Sequence, residues 1–248
     1  MKKSPRLRNV EKVRPPYPLN NFPAEFGHKV GKEIIYLLAT KGKPVLEGPE
    51  WEEIFALSVG ADWKPSNVGL DDVVLDCCAW GAKTAKSNDP LQQKNIRLIS
   101  GRNSPTYSFN DAEIVKANPD HLGEMVLTIW NERVSAVRRI YKHARTVVLI
   151  KSNDLSEVVI FEFDTIRYDP ELFIWKWNER KNLEGFYKDS EEHKFTWQPH
   201  GSQFTIIEDV PKDSLCIKIK LPKKLNKETL LKSIGFDKDW VVVTKRHV

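Results

Sequence analysis

Acidic residues and lysines flank apolar runs in the segment from Glu50 to Lys86. Three glutamates come first, an aspartate pair follows a glycine-led turn, and two lysines end an apolar stretch: Glu50, Glu52, Glu53, Asp71, Asp72, Lys83 and Lys86. Hydrolysis of a phosphodiester bond needs one or two divalent cations held by carboxylates, an activated water and a positive charge near the developing negative charge. Mg²⁺ prefers oxygen ligands and retains several waters, so a few carboxylates suffice to bind it. The segment therefore contains the residue types that this chemistry requires.

The positions of the aspartate pair and of Lys83 support the same interpretation. Asp71-Asp72 opens an apolar stretch that we interpret as buried strands, although the pair alone also suits a solvated turn or a backbone cap. Lys83 directly follows Trp-Gly-Ala, and lysines are almost never fully buried unless they are paired. The position of Lys83 thus predicts either a strand end that reaches solvent or a carboxylate partner. Adjacent strands would bring aspartate and lysine together.

The order of these residues resembles the PD-(D/E)xK nuclease superfamily and, among its members, the type II restriction endonucleases. The core of that superfamily is a helix with a glutamate, a strand that begins with an aspartate, and a strand that carries (D/E)-x-K. The resemblance assigns the glutamate to Glu52 or Glu53 in WEEIF and the aspartate to Asp72 or Asp71 in GLDD. It assigns the lysine to Lys83 in WGAK, and it covers only this segment of the chain.

One position departs from the pattern of the superfamily. Gly81 stands two residues before Lys83, where the superfamily usually has Asp or Glu, and the alternative Lys86 has Thr84 at that position. A metal would then be held by Asp72 together with Asp71, Asp76 or the helix glutamate. The absence of an acidic residue at position 81 also suits a degenerate relative of the superfamily that binds nucleic acid without cutting it.

The resemblance implies a role for each site residue and a substrate. Asp72 and Glu52 would hold Mg²⁺ together with Asp71, and Glu53 is the alternative helix glutamate. Lys83 would position or help deprotonate the attacking water and offset charge on the phosphate. The implied substrate is double-stranded DNA, cut at a short specific site, and a homodimer would match a palindromic site.

Polar donors interleave with tryptophans in the C-terminal half, in WKWNER and WQPHGSQ, and GRNS follows an earlier strand. Arginine can read guanine, and asparagine or glutamine can read adenine, in the major groove. The candidates for DNA binding are Arg102, Asn103, Lys176, Asn178, Arg180, Gln198, His200, Ser202 and Gln203. The alternatives are that the tryptophans pack one face of a sheet and that WQPHGSQ is a turn bonded to itself.

Apolar spacing and turn residues predict the elements that position these groups. Helices are predicted from near Pro23 to Gly42, from Gly48 to Gly60 and over residues 111–144, with a candidate break at Asn118-Pro119. The long helix also contains a run of charged residues that includes Arg133. These residues suit a solvated helix face or, if they cluster in three dimensions, contacts to a DNA backbone. Strands are predicted within residues 68–86, at 96–100, and as an antiparallel pair around the turn Asn153-Asp154, with more β-structure and a short helix, KETLLKSIG, beyond.

The predicted fold class is α/β, with a mixed central β-sheet flanked by helices and C-terminal β-rich additions. The resemblance implies a restriction-endonuclease-like core. Residues 22–248 are predicted to form one domain, because no Gly/Ser linker divides them. Residues 1–21 are basic and rich in proline, which suits a frayed terminus or an arm that wraps DNA or a partner subunit.

Composition limits the class of protein. The 248 residues are 40% hydrophobic and 29% charged, with a net charge of +5, which favours a globular protein and weakly favours a nucleic-acid partner. No apolar run approaches the roughly 20 residues that span a bilayer, so no membrane association is predicted. Three cysteines and the absence of a secretory signal pattern predict a cytoplasmic location. The remaining hypotheses are a non-catalytic nucleic-acid-binding protein and an unrelated interaction protein.

Overall fold

The computed structural model describes residues 13–65, 69–109, 114 and 116–245. Its helices are α1 (Phe26–Lys41), α2 (Gly48–Val59), α3 (Pro105–Phe109), α4 (Pro119–Ile140) and α5 (Lys227–Ser233). Its strands are β1 (Asp62–Trp63), β2 (Val73–Leu75), β3 (Cys78–Lys86), β4 (Asn95–Arg102), β5 (His143–Lys151), β6 (Glu157–Asp164), β7 (Phe173–Trp177), β8 (Leu183–Tyr187), β9 (His193–Gln198), β10 (Gln203–Asp209) and β11 (Leu215–Lys218). Residues 1–12 of the predicted arm, and residues 111–113 and 115 of the predicted long helix, lie outside the described residues.

Local signals set the ends of the main helices. Gly42 and Gly60 end α1 and α2 with positive φ angles of 65° and 75°, as predicted. The long helix is shorter than predicted: the side chain of Asn118 accepts hydrogen bonds from the first-turn amides and caps α4 at Pro119. α4 ends at Ile140 because Tyr141 is extended and β5 begins at His143. In the described part of the chain, none of the helices has the length and apolar character of a membrane span.

The first sheet, sheet A, confirms the predicted mixed α/β class. Its described strands run in the order β1-β2-β3-β5-β6-β11. β3 and β5 are parallel, whereas the other neighbours are antiparallel. A parallel pair requires a crossover, and the connection from β3 to β5 includes α4. α1 and α2 cover one face of sheet A, where Phe26, Trp51 and Phe55 pack with Trp80.

The second sheet, sheet B, forms the β-rich addition. Its described strands are all antiparallel, in the order β4-β10-β9-β8-β7. The inner face of sheet B packs on α4, and its side chains share a core with Ala79 of β3 and Ala144 of β5. α4 and sheet B therefore cover the face of sheet A opposite to α1 and α2. β4 is an edge strand of sheet B, and it directly follows β3 in the chain apart from a short 3₁₀ turn.

A buried ion pair joins the centre of sheet A to the N-terminal segment. Arg145 of β5 lies 3.3 Å from the Glu162 carboxylate of β6, with side chains 4% and 0% exposed. The Tyr17 hydroxyl and the Trp80 indole donate to the same carboxylate at 2.7 and 2.6 Å. Burial raises the pKa of Glu162, whereas these donors and Arg145 oppose the shift. Asn20 exchanges hydrogen bonds with the Glu162 backbone, so residues 17–20 of the predicted arm are packed against the sheet.

Removal of Arg145 is expected to leave the Glu162 charge buried without its ionic partner. An Arg145→Met protein should lose about 3–5 kcal/mol of unfolding free energy, measured by urea denaturation. The matched control is Glu157→Gln, which breaks the exposed pair of Glu157 with Lys218 and should cost less than about 1 kcal/mol. Equal losses in the two variants would contradict a central role for the buried pair.

Candidate active site

The chain before β2 crosses closely over β3 at the residues that carry the proposed chemistry. β2 pairs with β3 only as far as Trp80, so the preceding residues 69–72 leave the ladder. The Lys83 ammonium donates to the Gly69 carbonyl oxygen at 3.2 Å. This crossing thus brings the Lys83 ammonium to the segment that carries the aspartate pair.

The close crossing also explains the glycine at position 81. A Cβ atom on Gly81 would lie 3.0 Å from the Gly69 oxygen and 3.1 Å from the Leu70 Cα atom. Both neighbours are backbone atoms, so they cannot rotate away as a flexible side chain could. The position where the superfamily usually has Asp or Glu therefore has no room for a carboxylate side chain in this structure.

A second glycine meets a different requirement. Gly69 has a φ of +66°, a conformation that other residues rarely adopt. A Cβ atom there would lie 3.6 Å from the Arg133 guanidinium and 4.0 Å from the Lys83 nitrogen. Arg133 of α4 therefore reaches the same crossing. The sequence analysis interpreted its charge run as a solvated face or a backbone contact, but Arg133 is only partly exposed.

Four charged side chains determine the electrostatics of the site. Burial lowers the pKa of Lys83; the buried carboxylate of Asp72 opposes this shift, Arg133 adds to it, and Glu52 opposes it. Burial also lowers the pKa of Arg133, and Asp72 again opposes the shift. The negative charge of Asp72 therefore acts on both Lys83 and Arg133. The charges of Asp72 and Glu52 thus both act on Lys83, and their role as a catalytic group with Lys83 remains a prediction.

The cluster opens into a cleft between the two sheets. Because β2 stops at Trp80, the following part of β3 has no described strand partner on that side. A cavity of about 570 Å³ lies there, lined by Gly48 and Glu52 of α2, residues 82–86 of β3 and residues 96–99 of β4. Glu52 is held in place by a 3.1 Å hydrogen bond from the Trp63 indole. Lys83 and Glu52 therefore face a solvent-accessible space large enough for a phosphate group.

The other predicted acidic residues are placed less favourably. Glu53 is exposed on α2, next to Glu52 in sequence, and the cleft lining includes only Glu52. Asp76 is exposed in the turn between β2 and β3. One carboxylate oxygen of Asp71 is buried and accepts no hydrogen bond from the described residues. Glu52 is thus the better supported of the two helix glutamates.

The candidate ligands for Mg²⁺ are two carboxylates. Asp72 and Glu52 both act on Lys83, and Mg²⁺ commonly takes only one or two carboxylates from a protein and fills its other positions with water or phosphate oxygens. Among the described residues, no group of three His, Cys, Asp or Glu side chains converges as a ligand set. Asp72 and Glu52 are therefore the residues that would hold the ion.

Several predicted DNA-binding residues meet at one end of sheet B. In the strand register Arg102 of β4 faces Gln203 of β10, which faces Gln198 of β9. Paired residues point to the same side of a sheet, so the three side chains form a row on its outer face. The turn after β9 adds His200, which is exposed, and Ser202, whose carbonyl accepts from the Asn103 amide.

Two predicted DNA-binding residues have structural roles instead. Asn103 is 2% exposed, and its carbonyl accepts a hydrogen bond from the Trp197 indole, so its side chain cannot reach a base edge. The Asn178 side chain donates to Glu184 and accepts from the amides of Arg180 and Asn182. These bonds belong to the turn between β7 and β8. The alternative considered for this segment was that its tryptophans pack one face of a sheet, and Trp175 and Trp177 do pack in the same core.

Lys176 and Arg180 belong to the opposite edge of sheet B. Lys176 lies on β7 and Arg180 in the turn that follows it, and both are exposed. β7 is four strand positions from β4, which corresponds to about 19 Å at the usual strand spacing. Any contact of these residues with a duplex would be distant from the Lys83 cluster.

Sequence reasoning missed the role of Arg133 and omitted Arg97. Arg133 lies on α4, far along the chain from Lys83. The charged residues around it in the sequence did not predict that its side chain would be partly buried. Arg97 lines the cleft and alternates with buried Ile96 and Leu98, a pattern visible in the sequence. Comparisons of the chain with protein-family models, curated proteins and solved structures found no match.

A side chain at position 81 is expected to destabilise the crossing. Gly81→Ala should cost about 1–3 kcal/mol of unfolding free energy, as overpacking typically does, and Gly81→Asp should cost more. Urea denaturation provides the measurement. The control is Gly31→Ala in α1, where the new Cβ would meet only Ile217 at 3.8 Å and should preserve or slightly increase stability. A Gly81→Asp protein as stable as wild type would show that the site can hold the carboxylate.

Proposed function

We propose that this protein is a Mg²⁺-dependent endonuclease that hydrolyses phosphodiester bonds of double-stranded DNA at a short specific sequence, as type II restriction endonucleases do. The observation that carries the proposal is that Lys83 and Glu52 line one open cleft and that the charges of Asp72 and Glu52 both act on Lys83. Carboxylates with a neighbouring ammonium are the groups that this hydrolysis requires.

Each residue has a role in the proposed reaction. Asp72 and Glu52 hold Mg²⁺, which when bound polarises the scissile phosphate and activates water. Lys83 lies within the same cluster and orients the attacking water. Because burial lowers the pKa of Lys83, its ammonium releases a proton more readily than an exposed lysine. Arg133 restrains the Asp72 carboxylate from the α4 side, as a positioning residue.

The substrate part of the proposal rests on sheet B. The row formed by Arg102, Gln203 and Gln198 combines a guanidinium, which can contact a phosphate or guanine, with two amides, which can read adenine in the major groove. A homodimer acting on a palindromic site, and a cytoplasmic location, remain predictions from the sequence.

A second function is favoured by one observation. The crossing at Gly81 excludes the usual third acidic group, and Arg133 lies beside the remaining aspartate. A protein with these features could bind duplex DNA through the same surface without cutting it. The two functions differ in whether DNA is cut.

Substitution of Lys83 or Asp72 is expected to abolish cleavage. The purified protein is incubated with phage genomic DNA and Mg²⁺, and discrete fragments are expected on a gel. Lys83→Ala and Asp72→Asn should each reduce the cleavage rate by at least about a hundredfold, because the first removes the cation near the developing negative charge and the second removes a ligand of the metal ion. Lys32→Ala, an exposed lysine on α1, is the control and should cut at the wild-type rate.

DNA binding is measured separately, in a gel-shift assay without Mg²⁺. Lys83→Ala should still retain DNA, since its role is in catalysis. Retention by wild type without any cutting in Mg²⁺ or Mn²⁺ would support the non-catalytic function. Cutting by Lys83→Ala at the wild-type rate would refute the assignment of this site.

A further inference from the structure

The outer face of β4 carries a row of side chains of which the proposed function uses only Arg102. Asn95, Arg97, Ile99 and Arg102 are exposed, whereas Ile96, Leu98 and Ser100 are buried between them. Ile99 has 52% of its surface exposed, which is high for an isoleucine in a sheet. Because β4 is an edge strand beside the Lys83 cleft, this row begins at the cleft and leads away from it.

An irregularity in the strand places Arg102 on this face. Strict alternation from Arg97 and Ile99 would turn Gly101 outward and Arg102 inward. In the pairing with β10, Gly101 lies opposite Phe204 and Ile99 lies opposite Thr205. Because Phe204 and Thr205 are consecutive, Ser100 is an extra residue in β4. Such a β-bulge re-aims the side chains that follow it. Arg102 therefore points to the same side as Arg97.

Arg133 fixes the bulge relative to the Lys83 cluster. Its guanidinium donates to the Ser100 carbonyl, the backbone group of the extra residue, at 2.6 Å. The same guanidinium lies near Gly69 and interacts with the charge of Asp72. A single side chain thus connects the strand that presents Arg102 with the residues that would perform catalysis.

We propose that the outer face of β4 is the track on which the phosphate backbone of the DNA duplex lies, with Arg97 and Arg102 as its two phosphate contacts. The proposal deepens the proposed function, since it rests on duplex DNA as the partner. Arg97 and Arg102 are five residues apart, about 17 Å at the rise of an extended strand. Measured along the helix axis, where phosphates of one DNA strand follow at about 3.4 Å, this separation corresponds to about five phosphates.

The charge along the track suits phosphates. Arg97 and Arg102 are exposed, and neither makes an ion pair with the described acidic residues. Ile99 between them offers an apolar surface to the sugars. The cleft end of the track also contains Lys83, so the backbone would be led from the first arginine towards the site of hydrolysis.

The test measures binding of a fluorescent duplex of randomised sequence, about 30 base pairs long, without Mg²⁺ and over a range of salt concentrations. Arg97→Ala should weaken binding about tenfold near 0.1 M salt and reduce the slope of log K against log salt by about 0.9, the value for one lost phosphate contact. Arg97→Lys should keep most of the affinity, because a phosphate contact needs charge and not a bidentate shape. Arg167→Ala is the control, since this exposed arginine lines a separate depression beside α4.

The outcomes separate this inference from the proposed function. Loss of affinity in Arg97→Ala, without cutting by wild type in the Mg²⁺ assay, supports the track and refutes the nuclease. Cutting by wild type, with Arg97→Ala binding as tightly as Arg167→Ala, refutes the track and leaves the nuclease standing. If wild type cuts, Arg97→Ala should raise KM about tenfold and leave kcat unchanged. Wild-type protein that does not bind the duplex overturns the track.

Discussion

The crossing of residues 69–72 over β3 is the contact on which the candidate site depends. The chain passes so near that a Cβ atom on Gly81 would lie 3.0 and 3.1 Å from backbone atoms, and Gly69 has a φ of +66° that other residues rarely adopt. In return, the Gly69 carbonyl accepts a hydrogen bond from the Lys83 ammonium, and the charge of Asp72 opposes the lowering of the Lys83 pKa by burial. A wider crossing would admit a carboxylate at position 81 but would separate the lysine from the aspartate. The missing acidic residue is thus a consequence of the packing that assembles the rest of the site.

The crossing needs a rigid sheet beneath it, and the buried pair of Arg145 and Glu162 supports that sheet. The pair lies at the centre of sheet A and takes hydrogen bonds from Tyr17 and Trp80. Trp80 belongs to β3, immediately before Gly81, so the strand that carries Lys83 is anchored to the strands behind it. Buried charges tolerate few alternative arrangements, because loss of either partner leaves an uncompensated charge. The network therefore fixes the position of β3 rather than adding much net stability.

Arg133 connects the two sheets in a similar way. Its charge interacts with that of Asp72, and its guanidinium donates a hydrogen bond to Ser100 in the β4 bulge. Ile96 and Leu98 of β4 also pack on sheet A, and such apolar contacts are less directional than hydrogen bonds. Arg133 therefore adds a directional link between the Lys83 cluster and β4. In the proposed nuclease, this link would hold the DNA-binding surface at a fixed distance from the proposed catalytic groups.

The sequence by itself determined the elements and the residue types of the site. Gly42, Gly60 and Asn118 mark helix ends through local backbone requirements, and the pair β5–β6 is joined by a short turn, so neither depends on distant residues. Only the tertiary structure decided which residues meet. The crossing at Gly81, the burial of Arg133 and the bulge at Ser100 each join segments far apart in the chain, and their geometry follows from packing that no local pattern records. Single-residue signals encode backbone preferences, whereas the proximity of charges depends on how whole layers pack.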